Sequence, residues 1–151
     1  MSEVFTKQHI KLNVNLPDKD AYLQYIAELS VELGIGRGQQ GVYEGLVQRE
    51  KAFATNLGDG IAIPHTKSDH IIKPAILVIK PQREVSWGDD EEEGIKIIIS
   101  ILSLNEQGGG THIELLASLA RKLVDDEFKK FLINATNEED IFRMVEQALT
   151  I

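Results

Sequence analysis

The sequence predicts an α/β sandwich, a central mixed sheet with helices on both faces, on three observations. Strand-like and helix-like stretches mix along the whole length rather than segregating. Ile95 to Leu104 (IKIIISILSL) is nearly all apolar, the pattern of a central strand covered on both faces. The stretches before and after that run repeat apolar residues at helical spacing, each offering one greasy side to a sheet.

In chain order, Gln8 to Leu16 (QHIKLNVNL) alternates imperfectly and reads as a strand with one wet face. Ile10, Leu12, Val14 and Leu16 are expected to point one way, and His9, at its start, is read as a surface residue. Pro17-Asp18 opens a helix with Asp18 as N-cap. Tyr22, Leu23, Ile26, Ala27, Leu29 and Leu33 form its inward side, and Gly34 stops it. After a loop at Gly34 to Gly38, a second helix runs from about Gln39 to Phe53, with Val42, Leu46 and Phe53 inward. Arg49 falls on that inward stripe. An arginine there needs an anionic partner or must reach past the core to water, and Glu50 or another acid is the plain structural alternative.

Thr55-Asn56-Leu57-Gly58-Asp59-Gly60-Ile61-Ala62-Ile63-Pro64-His65 is the most informative stretch. Two glycines two apart make a tight turn, and Ile61-Ala62-Ile63 reads as a short buried strand. Pro64 is expected to end it, since proline has no N–H for a ladder. His65 is then delivered at a strand end beside accessible backbone, a common way to hold a reactive side chain. A core histidine after a hairpin is the alternative. Ser68-Asp69-His70 reads as loop, Ala75 to Lys80 as a strand closed by Pro81, and the acidic run Asp89 to Glu93 as a solvated turn.

Asn105 to Gly110 is a glycine-rich loop, and Thr111-His112-Ile113-Glu114 matches the S/T-x-x-E capping box at a helix start. Leu116, Leu119 and Leu123 face inward, which puts His112 in the first turn on the core side, where free N–H groups favour an anion. A histidine merely packed at a helix start is the alternative. A short helix around Asp125 to Asn134 follows, and Thr136-Asn137-Glu138-Glu139 is a second capping box, opening a last helix to about Leu149. No internal repeat or linker interrupts the pattern, so one domain over residues 1–151 is expected.

Composition narrows the function. The 151 residues are 42% hydrophobic and 26% charged, as in ordinary globular proteins. A formal net charge of −8 argues against nucleic acid, where lysine and arginine must neutralise phosphates. There is no cysteine, which removes disulfides, thiolate metal sites and cysteine nucleophiles from consideration. Met1-Ser2-Glu3 begins no signal-peptide-like apolar segment, and the apolar runs are too short to span a bilayer, so a cytoplasmic location and no membrane embedding are expected.

His65, Arg49 and His112 thus stand out for independent reasons. If they converge, they form a nucleophile and positive groups around a phosphoryl or oxyanion group. A zinc site from His65, Asp69, His70 and His112 is the chemical rival, but the spacing matches no known ligand pattern. Neither a P-loop nor a dinucleotide fingerprint is present.

Glu50, six residues, then Leu57-Gly58-x-x-Ile61-Ala62-Ile63-Pro64-His65 resembles the signature of the EIIA components of the bacterial phosphoenolpyruvate-dependent sugar phosphotransferase system, fructose/mannitol type. Gln48-Arg49-Glu50-Lys51, Lys73-Pro74-Ala75, Val85-Ser86-Trp87-Gly88 and Thr111 to Arg121 resemble the family in the same order, over nearly the whole chain. The resemblance implies a five-stranded mixed sheet between helices, with no cofactor and no metal. It also implies a phosphoryl relay: His65 takes the group on Nε2 from the phosphocarrier HPr and passes it to a cysteine of a separate EIIB, which serves a membrane EIIC. The family's arginine and second active-site histidine fall on Arg49 and His112. The family usually has a small residue after the histidine, and Thr66 stands here; it narrows close approach, though its hydroxyl, like Thr111, is a candidate phosphate ligand. The other role the resemblance allows is that of a regulatory phosphoprotein, as in the family's nitrogen-related branch, acting through phosphorylation-dependent partner binding.

Overall fold

The computed structural model describes residues 4–52, 55–87, 94–104 and 117–149. The strands are β1 (Ile10–Val14), β2 (Asn56–Gly58), β3 (Ile61–Ala62), β4 (His65–Ser68), β5 (Ala75–Pro81) and β6 (Ile97–Leu104). The helices are α1 (Lys19–Glu32), α2 (Gln39–Ala52), α3 (117–122), α4 (Asp126–Asn134) and α5 (Glu138–Leu149). The sheet runs β1-β5-β6-β3-β2, and β4 also pairs with β6. Among the described residues, the β5–β6 and β2–β3 pairs are antiparallel and β1–β5, β3–β6 and β4–β6 are parallel, so the sheet is mixed.

Alternation along β5 and β6 builds the two cores. Leu77, Ile79, Ile98 and Leu102 face α1 and α2, where Tyr22, Ile26, Val42 and Leu46 bury against them. Ile76, Val78, Ile97 and Ile99 face the other layer, packing with Leu119, Phe128, Leu132, Ile141 and Val145. The apolar run at 95–104 is therefore the covered central strand that its composition predicts. Asp18 caps α1 by accepting from the Ala21 N–H at 2.9 Å, and Gly34 ends the helix with φ +75°. Asp125 caps α4, accepting from Glu127 and Phe128 N–H.

Four expectations need correction. First, β3 and β4 hold one register against β6: Ile61 and Ala62 pair with Ile97 and Ile98, and His65 and Thr66 with Ile101 and Leu102. Pro64 interrupts the strand without ending it, because its carbonyl still accepts from the Ile101 N–H at 3.1 Å. Counted as one interrupted strand, β3–β4 makes the sheet five-stranded. His65 accordingly begins β4, and Ser68 belongs to the strand and not to a loop. Second, Val14 and Leu16 pack in the α1/α2 core, whereas Ile10 and Leu12 pack on the opposite face. An extra residue in β1 between Lys11 and Val14, with Asn13 at φ +56°, flips the alternation. Third, the last helix is capped by Asn137, which accepts from the Asp140 N–H at 2.8 Å, one position after Thr136. Phe53, residues 89–93, residues 105–110 and the box at Thr111 lie outside the described residues.

The fourth correction is His9, which is buried at 5% exposure. Its Nδ1–H donates to the Ile76 carbonyl at 3.2 Å, and Phe5 meets its ring edge-on. Burial pulls its pKa below the ordinary 6.5, partly opposed by hydrogen bonds to the Ile76 and Val4 carbonyls. The unfolded chain thus takes up a proton that the folded chain resists. This site's contribution to stability is full above pH 6.5 and is lost as pH falls through the folded value. Denaturation midpoints should fall between pH 7.5 and 5.5, and fall less in His9→Gln, which keeps a donor for Ile76 but does not titrate. Equal pH dependence in the two proteins would remove His9 as the cause.

Candidate active site

The site forms where β3 gives way to β4. Asp59 and Gly60, at φ +58° and +82°, make a two-residue turn between β2 and β3, and the left-handed pair suits a tight hairpin. β3 is sandwiched between β6 and β2; β4 pairs with β6, and no further strand partner is recorded for it among the described residues. The chain therefore passes from sheet interior to sheet edge at His65, and a cleft of about 1040 Å³ opens along that edge. Gly45 and Arg49 of α2, His65 and Thr66 of β4, His70 beyond it and Ala120 of α3 line it.

Both ring nitrogens of the half-buried His65 are engaged. Nδ1 lies 2.8 Å from the Ile63 carbonyl oxygen, and a carbonyl only accepts, so Nδ1 carries the proton. Arg49 Nε–H donates to Nε2 at 3.0 Å, so Nε2 holds its lone pair. The two bonds together select the neutral tautomer that keeps its lone pair on Nε2. Arg49 is the residue its place on the α2 stripe suggested, turned to the histidine rather than snorkelling past it. In the last turn of α2 its charge also complements the helix C-terminus.

Next to Arg49, Glu50 closes a second set of contacts. Its side chain is 5% exposed and meets Lys19 Nζ at 3.0 Å. It accepts from the Thr55 backbone N–H and Trp87 Nε1, both at 3.2 Å, and from the Thr55 hydroxyl. Lys19 also lies over the Trp87 ring, 5.5 Å from its centroid. Sequence reasoning gave Glu50 no role beyond the start of a pattern and a possible partner for Arg49. Its inward neighbours come from α1, from residue 55 and from residue 87, and no local periodicity announces them.

Thr66 is buried at 5% exposure and extended, so its β-branch costs nothing in the backbone. It fits because Gly45 faces it: a Cβ at 45 would lie 2.5 Å from Thr66 Oγ1. Gly45→Ala should therefore crowd Thr66 and push α2 off β4. Overpacking of about 1–3 kcal/mol, less about 1 kcal/mol of gained helix propensity, leaves a net loss on the order of 1 kcal/mol. Adding Thr66→Ala should restore the denaturation midpoint; a single variant as stable as the parent would show that Thr66 simply rotates aside.

Thr111 and His112 lie outside the described residues, and the structure places neither. Downstream of them in the chain, α3 borders the cleft through Ala120. Asp69 and His70 line the same cleft, with His70 Nδ1–H donated to the Arg37 carbonyl at 3.1 Å. Among the described residues no three histidine or carboxylate side chains come together as a metal cluster would require. No helix among them is long and apolar enough to cross a membrane.

Against known proteins, residues 3–148 match the family described as phosphoenolpyruvate-dependent sugar phosphotransferase system, EIIA 2. The chain is 32% identical over 147 residues to multiphosphoryl transfer protein 2 of Escherichia coli strain K12, covering 97% of this chain and 17% of that protein. It is 29% identical over 147 residues to the fructose-specific EIIABC component of Bacillus subtilis strain 168, covering 97% of this chain and 23% of that protein. Each of these relatives is thus several times longer than the segment it shares. In fold the chain is similar to the nitrogen regulatory protein IIA-Ntr of Neisseria meningitidis, with a TM-score of 0.84 at 24% identity over 95% of this chain and 97% of that one.

Proposed function

Because the chain belongs to the phosphoenolpyruvate-dependent sugar phosphotransferase system EIIA 2 family, we propose that it relays a phosphoryl group through His65 Nε2 from phospho-HPr to a cysteine of an EIIB. The observation that carries this reading is the pair of bonds on the ring: Nδ1–H to Ile63 and Arg49 Nε–H to Nε2. They leave Nε2 unprotonated, in an open cleft, with a guanidinium already beside it.

The steps follow from that arrangement. Nε2 attacks the phosphorus of the donor's phosphohistidine; the new P–N bond forms as the donor's P–N bond breaks, and the donor nitrogen regains its lone pair. No proton has to leave His65. The ring gains positive character, and its Nδ1–H stays donated to the Ile63 carbonyl, which stabilises that charge. Arg49 gives up the Nε2 lone pair and turns its donors to the phosphoryl oxygens. In the second step a thiolate of EIIB attacks phosphorus, the P–Nε2 bond breaks, and the lone pair returns to Nε2. Residues 1–151 hold no cysteine, so that acceptor lies outside them. His112, with Thr111, is proposed to hold the phosphoryl group; both precede α3 in the chain, and Ala120 of α3 borders the cleft. Thr66 is proposed as a neighbour of that group.

The fructose-specific name of one relative supports sugar uptake over a purely regulatory role. The test is incubation with phosphoenolpyruvate, enzyme I and HPr, followed by mapping of acid-labile phosphate. One phosphate on His65 Nε2 is expected. Its subsequent transfer to an EIIB cysteine separates transport from regulation.

A further inference from the structure

His65 is controlled at both ring nitrogens from one turn of α2. Arg49 reaches Nε2 directly, at 3.0 Å. The next residue, Glu50, reaches Nδ1 indirectly. Its carboxylate accepts the Thr55 N–H at 3.2 Å and the Thr55 hydroxyl. The Thr55 carbonyl then accepts the Ile63 N–H at 2.9 Å. The Ile63 carbonyl, finally, accepts Nδ1–H of His65 at 2.8 Å. Thr55 and Trp87 are buried, and Trp87 Nε1 donates to both Glu50 and Thr55 Oγ1, so the node excludes water. Lys19 Nζ, at 3.0 Å, balances the carboxylate.

We propose that Glu50 is a positioning residue that sets the tautomer and orientation of His65 through the backbone of Thr55 and Ile63. Pro64 leaves the Ile63–Pro64 peptide without an N–H, so no hydrogen bond from its own nitrogen holds the carbonyl that faces Nδ1. Downstream, the Pro64 carbonyl is fixed to the Ile101 N–H at 3.1 Å; upstream, the Thr55–Ile63 bond at 2.9 Å ties Ile63 to the Glu50 node. Released from Glu50, Thr55 moves, the carbonyl turns, and the ring exchanges its proton between nitrogens. Protonated on Nε2, the ring offers no lone pair at that nitrogen for phosphorus and faces Arg49 donor to donor.

The kinetic part of this inference rests on His65 being the phosphoryl acceptor, but its spectroscopic part does not. The experiment is a ¹⁵N-histidine NMR spectrum and a single-turnover transfer rate from phospho-HPr, on the same samples. Wild type should show His65 with the proton on Nδ1. Glu50→Ala should shift those nitrogens toward a mixture and slow transfer on the order of 10-fold, as losing an orienting partner of an imidazole does, with the phospho-HPr concentration for half-maximal rate unchanged. Glu50→Gln, which keeps an oxygen for the Thr55 N–H, should recover the spectrum and most of the rate. Thr55→Val removes only the hydroxyl link and should give a smaller shift in the same direction. If Glu50→Ala does not fold, Thr55→Val decides. Wild-type spectra and rates in every folded variant would overturn the proposal. Wild-type protein that takes up no phosphate would instead overturn the relay through His65 and leave the spectroscopic test standing.

Discussion

His65→Ala is expected to fold and to accept no phosphoryl group. The loss should be complete, because the variant removes the proposed nucleophile. The remaining histidine known to line the cleft, His70, has its Nδ1 on the Arg37 carbonyl at 3.1 Å but sits beyond the end of β4. The guanidinium that would receive the phosphoryl oxygens is engaged with His65. The structural cost is small: two hydrogen bonds at a half-buried position, each worth about 1 kcal/mol net. Phosphate incorporated from phospho-HPr should be counted in His65→Ala and in His70→Ala, with melts of both. Stoichiometric label in His65→Ala would place the acceptor elsewhere; normal label in His70→Ala is the matching expectation.

Arg49→Ala should have the second-largest effect. Losing one preorganised donor beside a developing negative charge raises a barrier by about 3 kcal/mol, so transfer should slow on the order of 100-fold or more. Stability should fall less, since the residue lies in the last turn of α2 and is only partly buried. Arg49→Lys keeps the charge but not the planar donor on Nε2, and should fall between. Transfer rate and thermal melt belong on the same preparations. A wild-type rate in Arg49→Ala would make the arginine a packing residue, and an unfolded variant would make its fold role dominant.

Much of this molecule was legible in its residues alone. Periodicity located α1, α2 and β5, and the nearly all-apolar run at 95–104 placed β6 at the centre of the sheet, because burial on one face or on both leaves its period in the chain. Asp18 announces its helix, since capping is a contact within three residues. Arg49 and His65 could be singled out one at a time, from a charge on an apolar stripe and from a histidine after a glycine turn. Long-range pairing left no such trace. Only the packed chain decides that β4 continues the register of β3 past Pro64, that Asn13 flips β1, and that His9 is buried against Ile76. Only the packed chain brings Arg49 Nε to Nε2 and the Ile63 carbonyl to Nδ1, and so selects which nitrogen of His65 keeps a lone pair. The residue types supply the chemistry, but a tautomer is chosen by hydrogen-bond partners, and the one on Nε2 lies sixteen positions away on another element.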